Sequence, residues 1–254
     1  MPAFTIAVAG KGGTGKTTLT GLIIRYLTEK RKGPVLAVDA DANSNLNEVL
    51  GVTCGETIGH VREEAADTAD SRPHGMSLYE YLDMRVQQAM IESKGFDLLV
   101  MGRPEGPGCY CAANNAIQKY TDHLMDSYPY IITDNEAGLE HLSRRTTQDT
   151  DLLLIVSDPS ARGILTAGRV NGIVDELGLK VGRRALIVNR VNGSSLPEEL
   201  AGAVERQGLY LAGVVPADEL VTSYDMQGRP LAQLPEESKA VSALYRILDG
   251  LEIP

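Results

Sequence analysis

The eight residues Gly10-Lys11-Gly12-Gly13-Thr14-Gly15-Lys16-Thr17 constrain this chain more than any other segment. They fit G-x-x-x-x-G-K-[ST] and follow an apolar run at residues 5–9. After them, apolar side chains recur at Leu19, Leu22, Ile23, Tyr26 and Leu27. The run reads as a buried parallel strand and the recurrence has helical spacing. Strand, glycine-rich loop and helix in that order predict a phosphate-binding loop. Glycines let successive backbone N–H groups turn inward without a Cβ clash, forming a nest for an anion. The positive end of the next helix adds to it. Gly12, Gly13, Thr14 and Gly15 are expected to wrap nucleotide phosphates. Lys16 is expected to reach the β- and γ-phosphates, and the Thr17 hydroxyl to ligate Mg²⁺. Thr18 is placed beside the α-phosphate.

The rest of the chain repeats the alternation. Further apolar runs at residues 35–38, 97–101, 130–133, 152–157, 185–189 and 213–215 read as buried strands. Helical patterns cover 17–30, 161–177, 196–207 and 239–248. About seven strands with intervening helices imply a single α/β domain: a mostly parallel sheet with helices on both faces. Trp is absent and Phe occurs twice, so aliphatic side chains must fill the core. No repeat or linker divides the 254 residues. The polar, acidic stretch 51–75 reads as an insertion or mobile region.

Two strand ends carry carboxylates where ligands of open α/β sheets sit. Val38-Asp39-Ala40-Asp41 ends the second strand, and Ile131-Ile132-Thr133-Asp134 is an apolar run ending in Asp. Asp134 is expected to coordinate Mg²⁺, with helix capping as the plainer reading of a strand-end Asp. Asp41 is the candidate for orienting or activating the attacking water, and Asp39 for holding Mg²⁺ through water. The sequence leaves these two roles interchangeable.

Lys11, at the second position of the loop, makes the segment resemble the deviant Walker A group, K-G-G-x-G-K-[ST]. That group contains the nitrogenase iron protein, the MinD and ParA partition ATPases and metallocentre-assembly ATPases. The resemblance implies ATP and ADP as ligands and a homodimer in which Lys11 meets the partner's nucleotide. A cation supplied in trans neutralises charge developing in phosphoryl transfer. By the same resemblance residues 38–41 and 135–138 are the two switch segments. Asn189 with Arg190, and Pro216 with Asp218, resemble the strand ends that read adenine. The plainer reading of Asn189 is a satisfied turn residue. N-x-x-D-type guanine recognition in the form N-K-x-D is absent, which favours ATP.

Cys109 and Cys111 flank Tyr110 in a glycine- and proline-rich loop. A disulfide between such near neighbours is strained. Thiolates select soft or borderline metals, and a closed tetrahedral site needs four ligands. A two-fold dimer supplies each cysteine twice, so Cys109 and Cys111 are expected to share one Ni²⁺ or Zn²⁺ on its axis. Incidental cysteines are the alternative; Cys54 reads as structural. The segments D-A-D-A-N-S-N-L, G-P-G-C-Y-C and T-D-N-E-A-G-L-E-H-L, together with the loop, resemble the CooC family along essentially the whole chain. That resemblance implies an ATPase that helps insert nickel into carbon monoxide dehydrogenase as client. Two other readings compete: a MinD- or ParA-like positioning ATPase and an iron–sulfur carrier or electron-transfer ATPase. A net charge of −10 disfavours nonspecific nucleic-acid binding and an anionic membrane surface. No apolar run reaches the ~20 residues of a membrane helix, no signal peptide is evident, and three cysteines make no disulfide framework. A cytoplasmic home is expected.

Overall fold

Among the described residues eight strands form one sheet in the order β3-β4-β2-β5-β1-β6-β7-β8. In chain order they are β1 Phe4–Gly10, β2 Val35–Asp39, β3 Ile91–Ser93, β4 Phe96–Val100, β5 Tyr130–Asp134, β6 Asp149–Ser157, β7 Lys180–Val191 and β8 Leu211–Pro216. The computed structural model describes residues 3–31, 33–41, 43–67, 75–102, 124, 127–136 and 149–254. Every pairing is parallel except β3 with β4. The expected strands are all present, and the eighth is β3. It is a three-residue antiparallel edge strand reached through Lys94 and Gly95, with Gly95 at φ 90°. Its brevity hides it from a pattern search, which needs several alternating residues.

Alternation through the sheet sends neighbouring residues to opposite layers. Ile6, Val8, Ile132, Leu152 and Leu154 join one buried cluster, while Ala7, Ala9, Leu153 and Ile155 join another. The first cluster is covered by α1 (Lys16–Tyr26), continued by a π-helical turn at Leu27–Arg31. Among the described residues the helices that follow are α2 (Leu46–Leu50), α3 (Ile58–Asp67), α4 (Leu78–Ala89), α5 (Ala161–Glu176), α6 (Glu198–Arg206), α7 (Glu219–Met226) and α8 (Lys239–Gly250). Helix α8 adds Val241, Leu244 and Leu248 to the α1 side, and α5 and α6 cover the other face through Ile164, Val174 and Val204.

The stretch 51–75 is not simply an insertion. Its described part contains α3, whose Ile58 and Val61 are buried with Tyr81 and Leu82 of α4 against Leu36 and Leu99. Helix α4 begins with a reciprocal cap: Ser77 Oγ accepts from Glu80 N at 3.2 Å, and Glu80 Oε2 accepts from Ser77 N at 2.8 Å.

Parallel pairing brings the strand ends to one edge. Val8 and Asp39 both lie opposite Asp134, and Gly10 lies opposite Val156. From β1 the chain crosses to β2, beyond β5, whereas β6 lies on the opposite side of β1. The crevice where strand order diverges is where such sheets bind ligands.

Candidate functional site

The loop leaving β1 turns on backbone conformations that only glycine adopts freely. Gly13 and Gly15 have φ of 79° and 89°. Gly10 is glycine because a Cβ there would lie 2.2 Å from the Val156 carbonyl oxygen. Thr14 Oγ1 donates to Lys11 O at 2.9 Å and closes the loop on itself. Helix α1 starts directly after Gly15 with neither a capping side chain nor an acidic residue in its first turn. Its N-terminal amides and dipole are thus left to an anion. Lys16 is buried, Thr17 and Thr18 are half-buried, and Lys11 is exposed.

Asp134 is 1% exposed. Its Oδ1 accepts from Thr20 Oγ1 at 3.2 Å, while its Oδ2 is buried with no hydrogen-bond partner. Burial pushes its carboxyl up to about 7, and the negative charge of Asp39 adds to the rise. The Thr17 hydroxyl, Lys16 and Thr20 pull the other way. Thr17 thus acts on the same carboxylate. Thr20 had no place in the sequence reading; its signal was position, since i and i+4 on a helix share a face with Lys16.

Asp39 is fully buried, and each oxygen accepts a backbone N–H: Oδ1 from Asp41 at 3.1 Å and Oδ2 from Leu46 at 3.0 Å. Burial raises its carboxyl to about 6, with those two amides opposing. Asp39 therefore ties the segment after β2 to the start of α2. Asp41 is half-buried; its Oδ1 accepts from Asn43 N at 2.8 Å and its carbonyl from Ser44 N at 3.0 Å. Asn135 is locked beneath the site, its side-chain amide donating to Val8 O at 3.0 Å.

A buried carboxylate oxygen without a partner, beside a threonine hydroxyl and a second carboxylate, is a hard oxygen donor set, and Mg²⁺ prefers such donors. The residues present fit the ion. The lone pairs left on Asp39 suit contact through water.

The four residues expected at the base divide. Asn189 and Arg190 meet the phosphate loop: Asn189 Nδ2 donates to Thr14 O at 2.9 Å, and Arg190 Nη1 donates to Gly13 O at 3.0 Å. Pro216 ends β8, and Asp218 caps two helices. Asp218 Oδ1 accepts from Leu220 N at 2.9 Å; Oδ2 accepts from Ser238 Oγ at 2.7 Å and Ala240 N at 3.0 Å. These donors hold its carboxyl below the usual range against the effect of burial. The Asp218 carboxylate is committed to helix starts.

Cys109, Cys111 and switch residues 137 and 138 lie outside the described residues. Cys54 is half-buried, its thiol held up by burial and packed beside the α1-side cluster. Among the described residues no three of His, Cys, Asp and Glu group as a metal site, and no helix is long and apolar enough to cross a membrane.

Comparison with known proteins agrees with this geometry. An uncharacterised ATP-binding protein of Methanocaldococcus jannaschii is 41% identical over 248 residues, 97% of each chain. The carbon monoxide dehydrogenase accessory protein CooC of Rhodospirillum rubrum is 30% identical over 236 residues, covering 88% of this chain and 87% of that one. Among solved structures, the Pyrococcus furiosus cell division ATPase MinD superposes with a TM-score of 0.72 at 24% identity over 99% of both chains, a likeness of fold. The model of the CobQ/CobB/MinD/ParA nucleotide binding domain matches residues 5–231, and the chain is a P-loop ATPase that belongs to this family.

Proposed function

We propose that the chain is a dimeric metallocentre-maturation ATPase that couples ATP hydrolysis to the binding and release of nickel for a carbon monoxide dehydrogenase client. The observation that carries the hydrolytic part is Asp134 Oδ2, sealed from water and without a partner beside the Thr17 hydroxyl. Thr17 and Asp134 would hold Mg²⁺ directly and Asp39 through water. When bound, the ion would neutralise charge on the β- and γ-phosphate oxygens. Lys16 contributes a buried ammonium to the same phosphates. Asp41, on the segment that Asp39 anchors, orients the attacking water. Lys11 has no side-chain partner among the described residues and is exposed, as a lysine serving a second copy would be.

The cargo rests on different support: the Cys109-Tyr110-Cys111 spacing and the relative named as a carbon monoxide dehydrogenase accessory protein. Two thiolates per chain leave a tetrahedral site half made, so a shared site needs both copies. ATP would favour the closed dimer and its metal site, and hydrolysis the open one; each is a differential affinity. The positioning alternative asks for a free amphipathic face. Helix α8 instead buries Val241, Leu244 and Leu248 in the core.

The test is metal content per chain on a size-exclusion column, with nickel supplied, with and without ATP. One nickel per two chains, lost when Cys109 and Cys111 are both replaced by Ser, supports the proposal. Nickel at one per chain, or unaffected by the double replacement, removes the shared site and leaves the ATPase.

A further inference from the structure

We infer that Asn189 and Arg190 are positioning residues that set the phosphate loop in its anion-binding shape before nucleotide arrives. The inference rests on the phosphate-site reading above and adds a role at the same site. Asn189 ends the unbroken buried run of β7, one residue before the exposed Arg190, and is 6% exposed. Its Nδ2 donates to Thr14 O at 2.9 Å, and its Oδ1 accepts from Arg190 N at 2.9 Å, so both ends of the amide are engaged inside the protein. Arg190 has φ 60°, a left-handed conformation that non-glycine residues seldom adopt. Its Nη1 donates to Gly13 O at 3.0 Å. Loop and strand end are in tight contact: a Cβ on Gly15 would lie 2.5 Å from Asn189 Nδ2.

Two consecutive carbonyls, of Gly13 and Thr14, are therefore tied to one strand end. In a planar trans peptide the C=O of one residue and the N–H of the next point in opposite directions. Tying those carbonyls toward β7 directs the N–H groups of Thr14 and Gly15 away from β7, into the concavity of the loop. Thr14 N–H makes only a long contact, 3.4 Å to Lys11 O, and Gly15 lies directly before α1. An anion nest needs amides held inward against their own repulsion, and fixing the opposite ends of their peptide planes does that. Asn189 keeps a second Nδ2 proton and a second Oδ1 lone pair, so holding Thr14 O does not prevent it from meeting a base edge, and the loop-setting role is read on a ligand that has no base.

The experiment is calorimetric titration of tripolyphosphate, ATP and CTP into the full-length protein and its Asn189→Ala, Arg190→Ala and Arg190→Lys variants. Thermal unfolding serves as the folding control. Loss of one buried or charged hydrogen bond predicts an affinity loss of about five- to tenfold. Tripolyphosphate should weaken by that factor in both alanine variants and ATP by at least as much, and Arg190→Lys should recover most of what Arg190→Ala loses. Unchanged tripolyphosphate binding with weakened ATP makes these residues base readers alone and overturns the inference. Unchanged binding of all three ligands overturns it too. If Asn189→Ala does not fold, the exposed Arg190 decides by the same criteria. Should the original protein bind neither tripolyphosphate nor ATP, the phosphate-site reading itself has failed, a result distinct from either.

Discussion

Asp134 combines two properties that conflict in the absence of a ligand: it is sealed from water, and one of its oxygens has no partner. An unpaired buried carboxylate destabilises the fold, so replacing it with a neutral isostere should help stability while harming function. Asp134→Asn is expected to raise the melting temperature of nucleotide-free protein at pH 8 by several degrees, about 2–4 °C per kcal/mol gained. The same variant should lose Mg²⁺-dependent ATP hydrolysis; full turnover would remove Asp134 from the magnesium site. Lys16→Ala should abolish hydrolysis with the fold intact. The pH dependence has a definite sign. Asp39 and Asp134 rise from the usual carboxylate value, near 3.9 when unfolded, to about 6 and about 7. Their folded forms hold protons that the unfolded chain has released, so their contribution is complete below about pH 4 and is lost as pH climbs through 7. Without metal, melting temperature should fall between pH 5 and pH 8, and Asp134→Asn should flatten the slope. An equal slope in both proteins would assign the loss to other groups. Sequence position was enough to place Asp134 at the sheet edge, since an apolar run ending in Asp after a phosphate loop has few other uses. Its orphaned oxygen and the Thr20 contact depend on how α1 lies across β5, which no local pattern records.

Elements whose periodicity follows from burial were legible, and those stabilised by caps or edges were not. β1, β2, β5 and β6 are continuous aliphatic runs because both faces of a parallel strand are buried. Helix α7 has no fully buried residue, and only Val221 and Tyr224 pack partly buried against the core, too short a stripe to mark a helix in sequence. What fixes its start is Asp218, expected near the base because it follows a strand end. Its carboxylate joins the starts of α7 and α8 through Leu220, Ser238 and Ala240. One lost cap costs about 1 kcal/mol, and losing both, with a buried hydroxyl left unpaired, should cost about 2–3 kcal/mol. Asp218→Ala is therefore expected to lower the urea midpoint while the folded variant keeps its affinity for ATP. A weakened ATP complex at unchanged stability would return Asp218 to the base pocket.

At the scale of the molecule, the sheet gathers the phosphate loop and the Asp39 and Asp134 carboxylates at one edge but leaves Lys11 exposed and without a side-chain partner among the described residues. The sequence marked that lysine through its place in the loop, yet a partner's contribution is invisible in a single chain. Complementation can separate the two possibilities. Lys11→Gln should keep nucleotide affinity within about tenfold, or ~1.4 kcal/mol, while losing hydrolysis, if its ammonium meets phosphates only across an interface. Asp41→Asn should bind ATP and hydrolyse it slowly, because an amide neither accepts a proton nor orients water as a carboxylate does. In a mixed dimer, the site on the Lys11→Gln chain has its own Asp41 and receives Lys11 from the other copy, so it is whole. The opposite site lacks both groups. Random exchange at equal amounts makes half the dimers mixed, each with one working site of two, so mixing should recover roughly a quarter of the original activity per chain. A lysine acting within its own chain gives no recovery, since each chain still lacks one group. Cross-linking or mass measurement of the mixture establishes that mixed dimers formed, and silence in their presence assigns Lys11 to its own chain's nucleotide.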